Sequence, residues 1–351
     1  MIKILSFPSR HPYMAKFHGE GGLEFVNPET DYFNGYGGHA NIDYIQKTHP
    51  PESYDIVHIH FSFDKLPIHD LESLLNYFKR CRKPIIWTCH SRESQRERHI
   101  GGGEYQKLLY TKADQIITLT NGCKDWVKNN LGSEKNISVI PHGYIINPKS
   151  VTKYRNDLRK KKEENFIFLA GELRKNKEII QSIINFLQCD KLIKCKLTVL
   201  FKPFAVYSDH DFEIFDERNL KFWNLVNSSE RINIISLSEI SNDLLYSNFL
   251  KSHVCLLPYL WGTHSGQIEL SRDSMCQVVV SDVGFYKEQN NNIIEYKLSE
   301  NPSSTATNFT EAMIEAYKRP LSKSLDIDRE EEFSKILEEH IKIYKKYLNK
   351  N

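Results

Sequence analysis

The chain has 351 residues, 40% of them hydrophobic and 26% charged, with a net charge of +2 at neutral pH. This length exceeds what one hydrophobic core usually serves, so two domains are expected, and the near-neutral balance gives no reason for a nucleic-acid partner. The seven cysteines are scattered with no Cys-x-x-Cys pair, the start MIKILSFPSR is too short in its apolar part for a signal peptide, and no run of about 18 apolar residues exists; a soluble cytoplasmic protein with reduced thiols is expected. Peripheral contact with a membrane surface stays open, and nothing indicates an oligomeric state.

In chain order, Ile2–Phe7 reads as a first strand, stopped by Pro8. The segment from Phe7 to Gly38 has no readable period. A helix is expected within His39–Lys47, a strand over Asp55–Phe61, a helix over Ile68–Arg80 and a strand over Pro84–Thr88. Glu104–Lys112 reads as helix, Gln115–Thr120 as strand, Asn121–Asn130 as helix closed by Gly132, and Ile137–Ile140 as strand. Lysines then crowd a stretch with few apolar groups. The alternation restarts with a strand at Phe166–Leu169, a helix at Lys175–Leu187, a strand at Lys196–Phe201, a helix at Phe212–Val226 and a strand at Ile232–Leu237. Next come a helix at Asn242–Lys251 and two buried strands, Val254–Leu257 and Gln277–Ser281, flanking a small polar loop and a short helix. Helices at Thr310–Lys318 and from Asp328 onward end the chain, the last with a Glu-rich start and a Lys-rich end that suit its dipole. Short buried strands alternating with helices predict βαβ units around parallel sheets. The expected division is an N-terminal domain over 1–148, a linker over 149–165, a second domain over 166–325 and a C-terminal helix over 326–351 returning to the first domain.

Ligands of open α/β sheets bind beyond the carboxyl ends of the strands, and with two such domains the cleft between them is the default site. The loops at those ends carry Arg10, His11 and Tyr13; Thr88-Cys89-His90; Pro141-His142-Gly143; Gly171 through Lys177; and Gly262, Thr263, His264, Ser265 and Gly266. Histidine, arginine, lysine and small residues suit an anionic, hydroxyl-rich ligand. Arg174 and Lys177 are three apart at a helix start, hence on one face, where they can converge on a diphosphate. A helix opening beside glycines offers N–H groups and the positive end of its dipole. Glu269 falls in the first turns of that helix.

These segments, in this order, resemble the retaining glycosyltransferases of the GT-B fold, family 4. DIVHIHFSF, PIIWTCHS, ADQIITLT with VIPHG, FLAGELRKNKE and PYLWGTHSGQIELSRDSMCQVVVSD carry the resemblance, which covers Lys3 to about Tyr317. It implies two Rossmann-like parallel-sheet domains facing across a cleft, an acceptor-binding N-terminal domain and a nucleotide-sugar-binding second domain. It also implies roles. His90 lies near the donor sugar and the reaction centre, Arg174 and Lys177 hold the leaving diphosphate, and Glu269 binds the nucleotide ribose. Gly171 and the Gly262–Gly266 loop meet phosphate and sugar, and Arg10, His11 and Tyr13 approach the acceptor. No metal and no cofactor beyond the nucleotide-sugar substrate is implied. Two departures stand out: Trp261 and Gly262 lie where the family motif has its first glutamate, and Gln277 replaces a common proline. An epimerase or phosphorylase on the same fold, or a non-catalytic partner subunit, therefore stays open.

Other motifs lead elsewhere. His58 and His60 share a strand face without a third metal ligand in view, and a packed pair is expected. Asp209-His210-Asp211 sits in a polar stretch with no matching fold signal. Gly101-Gly102-Gly103 reads as a loop or helix start. No dinucleotide fingerprint or Walker A loop is present.

Overall fold

A computed structural model of the protein describes residues 1–27, 41–61, 66–93, 103–150, 164–171, 173, 175–201, 217–236, 242–320 and 328–349. The backbone separates into two compact units, Met1–Ile145 with Asp328–Asn351, and Ile146–Ile327. Most of the expected linker, residues 151–163, lies outside the described residues.

The sheet of unit 1 is built from β1 (Ile2–Phe7), β2 (Leu23–Phe25), β3 (Ile56–His60), β4 (Ile85–Cys89), β5 (Gln115–Thr118) and β6 (Asn136–Val139). Their order in space is β2-β1-β3-β4-β5-β6, and every pairing is parallel. Every residue of β3 and β4 is buried. Strands covered on both faces are largely apolar, as β4 is, while β3 also buries His58 and His60 on one face. Its helices include α1 (Pro12–Ala15), α2 (Ile42–Thr48), α3 (Ile68–Arg80), α4 (Glu104–Lys112) and α5 (Asn121–Asn130). α3 buries Leu71, Leu74, Leu75 and Phe78 along one stripe. Strand β5 ends two residues before the predicted Thr120, because the Thr120 hydroxyl accepts from the Cys123 N–H as the N-cap of α5. The stretch without a readable period holds α1 and the three-residue edge strand β2, both too short to show one; residues 28–40 lie outside the described set.

Unit 2 repeats the plan with β7 (Asn165–Gly171), α6 (Ile179–Gln188), β8 (Lys196–Phe201), α7 (Glu217–Val226), β9 (Ile232–Ser236), α8 (Asn242–Lys251), β10 (Val254–Leu257), α9 (Gly266–Ser274), β11 (Gln277–Ser281), α10 (Tyr286–Gln289), β12 (Ile294–Tyr296) and α11 (Pro302–Lys318). Its parallel sheet runs β12-β11-β10-β7-β8-β9. Phe166, Phe168, Val199, Leu256 and Val279 anchor the core. The chain fills one side of β7 first, then returns to the other side through β10. This reversal makes the β7/β10 boundary the topological switch point.

The last helix, α12 (Arg329–Leu348), belongs to unit 1. Asp328 caps it by accepting from the N–H groups of Glu330 and Glu331 at 2.9 and 3.1 Å. Phe333, Ile336, His340, Ile343, Tyr344 and Tyr347 recur at spacings of three and four and face the unit 1 sheet. Burying each of Phe333, Ile336 and Ile343 is worth roughly 1.5–3 kcal/mol relative to leaving it in water. The helix is thus held by its apolar stripe.

Candidate functional site

In unit 2 the predicted loops meet at the switch point. The turn after β7 and the loop after β10 are joined by an antiparallel bridge between Lys177 and Tyr259. The Glu178 N–H donates to Pro258 O at 2.9 Å, and the Leu260 N–H to Asn176 O at 2.8 Å. This bridge diverts residues 175–178, so α6 starts at Ile179 and not at the predicted Lys175. Lys177 is buried; its ammonium donates to Leu169 O at 2.7 Å and lies 5.2 Å above the Tyr259 ring. Gly171 ends β7 beside an irregularity in its pairing with β8. A buried cation therefore stands at the end of the central strand, in contact with the loop that enters α9.

That loop is stiff. Tyr259 stacks on Tyr286 with ring centroids 5.6 Å apart, and its hydroxyl lies 2.9 Å from the Ser265 hydroxyl. Ser265 caps α9 by accepting from the Gln267 N–H. Thr263 O accepts from the Phe285 N–H at 2.9 Å. Gly262 is required by close approach: a Cβ there would lie 2.2 Å from the Tyr286 hydroxyl. Thr263 and Ser265 are buried, while His264 and Gly266 are half-exposed. The positive end of the α9 dipole falls at this loop.

Glu269 is buried one turn into α9, and both of its oxygens are engaged. Arg272 donates to Oε2 at 2.9 Å, and Gln289 Nε2 donates to Oε1 at 3.1 Å. Gln289 also accepts from the Ser265 N–H at 2.8 Å, so it pins the capping residue and the carboxylate together. Asp273 accepts from the Ile146 N–H at 2.9 Å, tying the first residue of unit 2 to α9. Neither Arg272 nor Gln289 was among the expected residues. Arg272 was readable, three positions after Glu269 on one helix face. Gln289 was not, since it arrives on α10 from a separate segment.

In unit 1 the switch point lies between β1 and β3, and the loop after β1 turns there. Arg10 is exposed and His11 half-buried, its Nδ1 accepting from the Tyr13 N–H at 3.2 Å. Tyr13 is fully buried and turns inward. Its ring meets those of His90 and His142 edge-on, both at 4.7 Å, and that of His60 at 5.4 Å. The Lys16 ammonium lies 4.7 Å above it and donates to His142 O. His90, just past β4, stacks on Phe61 at 4.3 Å. Phe61 itself has the left-handed φ of 72°. Burial holds the pKa values of His58 and His60 well below the usual range, and His340 in α12 is pushed down to about 4 for the same reason. These three rings are neutral at physiological pH.

Arg174, residues 101 and 102, and Asp209-His210-Asp211 lie outside the described residues. Gly103 is the N-cap of α4. His58 and His60 pack ring to ring at 4.0 Å. Among the described residues no group of three His, Cys, Asp or Glu could hold a metal ion, and no helix is long and apolar enough to cross a membrane.

Two parallel α/β units with a final helix returned to the first define the class: the chain has the GT-B fold of glycosyltransferases. Residues 14–147 match the family described as Glycosyltransferase Family 4. Among solved structures the chain is similar to a sucrose-phosphate synthase from Thermosynechococcus elongatus, with TM-score 0.64 and 16% identity over 95% of this chain and 83% of that one. It is also similar to the trehalose-6-phosphate protein from E. coli bound with UDP-2-fluoro glucose, at 0.57 and 14% over 93% and 78%. A third is a trehalose-6-phosphate synthase described for enzymatic glycosyltransfer with retention, at 0.59 and 14% over 95% and 82%. No curated protein sequence matches the chain.

Proposed function

We propose that the protein is a glycosyltransferase that moves a sugar from a nucleotide diphosphate donor, a UDP- or GDP-sugar, to a hydroxyl acceptor with retention. The observation that carries this reading is the buried Lys177 at the end of β7, bridged to the loop that opens α9. A cation, a helix start and small residues converging at a topological switch point suit a diphosphate. A solved structure of the same fold that holds UDP-2-fluoro glucose, and another described for transfer with retention, support it. In the proposed step the bond between the anomeric carbon and the diphosphate oxygen breaks and one to the acceptor oxygen forms on the same face. The acceptor proton passes to the departing diphosphate. Lys177, together with Arg174 and the α9 dipole, stabilises the charge that develops there. Unit 1 supplies His90 near the donor sugar and Arg10 and His11 toward the acceptor, while the buried Tyr13, expected to approach the acceptor, instead packs against His90 from within. The reading needs no metal and no cofactor, and places the protein in the cytoplasm. Incubation with a panel of UDP- and GDP-sugars, followed by mass spectrometry, tests it. Lys177→Ala should lower kcat about 10²–10³-fold, the cost of losing one charge-stabilising donor. A rate near that of the unmodified protein would remove Lys177 from the mechanism, and loss of turnover with chelator, restored by magnesium, would refute metal independence.

A non-catalytic partner is the second reading, favoured by Trp261 and Gly262 at the first-glutamate position and by a Glu269 already held at both oxygens. Thermal shift with UDP, GDP and their sugars separates the two: no stabilisation and no turnover with any donor selects the partner.

A further inference from the structure

The far end of the chain reaches the His90 turn through hydrogen bonds. The Tyr344 hydroxyl of α12 lies 2.8 Å from His58 Nδ1, and His58 Nε2 lies 2.8 Å from the Thr88 hydroxyl. All three side chains are buried. Thr88 precedes His90 by two residues at the end of β4. A neutral imidazole has one N–H and one acceptor nitrogen. The phenol of Tyr344 is more acidic than the threonine alcohol, so Tyr344 donates to Nδ1 and the Nε2–H donates to Thr88. The Thr88 proton is then turned away from His58. The Tyr13 ring packs edge-on against His90, 4.7 Å away at 88°.

We infer that Tyr344 is a positioning residue: through His58 it fixes the Thr88-Cys89-His90 turn and so the presentation of His90. What His90 then does rests on the glycosyltransferase reading; the coupling itself rests on geometry. Tyr347 supplies an internal control. It lies on the same buried stripe of α12, but its hydroxyl donates to Asp114 O at 2.7 Å, just before β5 begins and far along the sheet from the His90 turn.

The test compares Tyr344→Phe, Tyr347→Phe, Thr88→Val and the double variant Tyr344→Phe/Thr88→Val. Amide exchange at Cys89 and His90 should quicken about 5- to 10-fold in Tyr344→Phe, the effect of losing one hydrogen bond, and not in Tyr347→Phe. In the donor assay Tyr344→Phe should lower kcat about 10-fold with KM for the donor within about twofold, a mispositioning effect. The double variant should be no slower than Thr88→Val, because both act through one chain of contacts. Nitrogen NMR of the unmodified protein should show His58 protonated on Nε2. Equal changes in the two tyrosine variants, additive losses in the double variant, or a His58 proton on Nδ1 would each overturn the inference. An unmodified protein without turnover would refute the transferase reading instead, and the exchange comparison would still decide the coupling.

Discussion

Replacing Gly262 by alanine tests the packing that shapes the loop before α9. The new methyl carbon would sit 2.2 Å from the Tyr286 hydroxyl and 3.4 Å from its Cζ. The first distance is more than 1 Å inside the roughly 3.5 Å at which non-bonded atoms attract, while the second is nearly tolerable. Tyr286 cannot simply swing away, because it is fully buried and stacked on Tyr259. Relief must come from shifting the Tyr259–Ser265 contact, the α9 cap, or both. Overpacking of this kind costs about 1–3 kcal/mol. For a unit of the size of Ile146–Ile327, that corresponds to a fall in Tm of about 2–12 °C. Calorimetry with and without UDP reads both stability and binding. Tyr286→Phe removes only the oxygen that clashes, so Gly262→Ala/Tyr286→Phe should recover most of the loss, with a coupling of about 0.5–3 kcal/mol. Should Gly262→Ala melt like the unmodified protein, or should Tyr286→Phe fail to restore it, the steric account of this glycine is wrong.

Gln289→Leu removes the amide that joins the Ser265 backbone to Glu269, leaving buried groups unpaired at about 1–3 kcal/mol; calorimetric titration should show UDP binding weakened about 10-fold, and unchanged affinity would separate Gln289 from the site. Acid should destabilise unit 1. The folded pKa of His340 is lowered to about 4 from 6.5, so the unfolded chain takes up the proton first as pH falls. Stability is full above about 6.5 and declines by roughly 3 kcal/mol on the way to pH 4 from this residue alone, with His58 and His60 acting in the same direction. Denaturant unfolding from pH 8 to 4 measures it. A flat profile, or one no shallower in His340→Gln, contradicts the account.

The parallel strands were legible because burial on both faces leaves unbroken apolar runs such as Val278–Val280 in β11. Helix starts were less so. α11 begins at Pro302, eight residues before the periodic segment, because PSSTATN has no apolar stripe; the Asn301 cap and Pro302 at the first helical position were the available signals. In the candidate site, placement at the end of a strand or the start of a helix, together with the family resemblance, pointed to Lys177, Glu269 and His90 as individual groups. What holds them was hidden. Gln289, Tyr286 and Tyr344 come from other segments, and Tyr344 meets His58 across a separation of 286 positions. No local period encodes such a contact. Arg174 stays an expectation, since it lies outside the described residues.

The return of α12 to unit 1 has a consequence for how the protein is made. Phe333, Ile336, Ile343 and Tyr344 complete a core whose other members, such as Ile4, Ile56 and Ile86, are synthesised first. Unit 2 is continuous in sequence and has all its strands before residue 328 exists. On the ribosome, therefore, the half translated first is the half that closes last, and one face of its sheet must wait only partly covered, by Tyr13, Met14 and Phe17, while the whole of unit 2 emerges. Pulse proteolysis of stalled nascent chains would reveal this order as protection of unit 2 before unit 1.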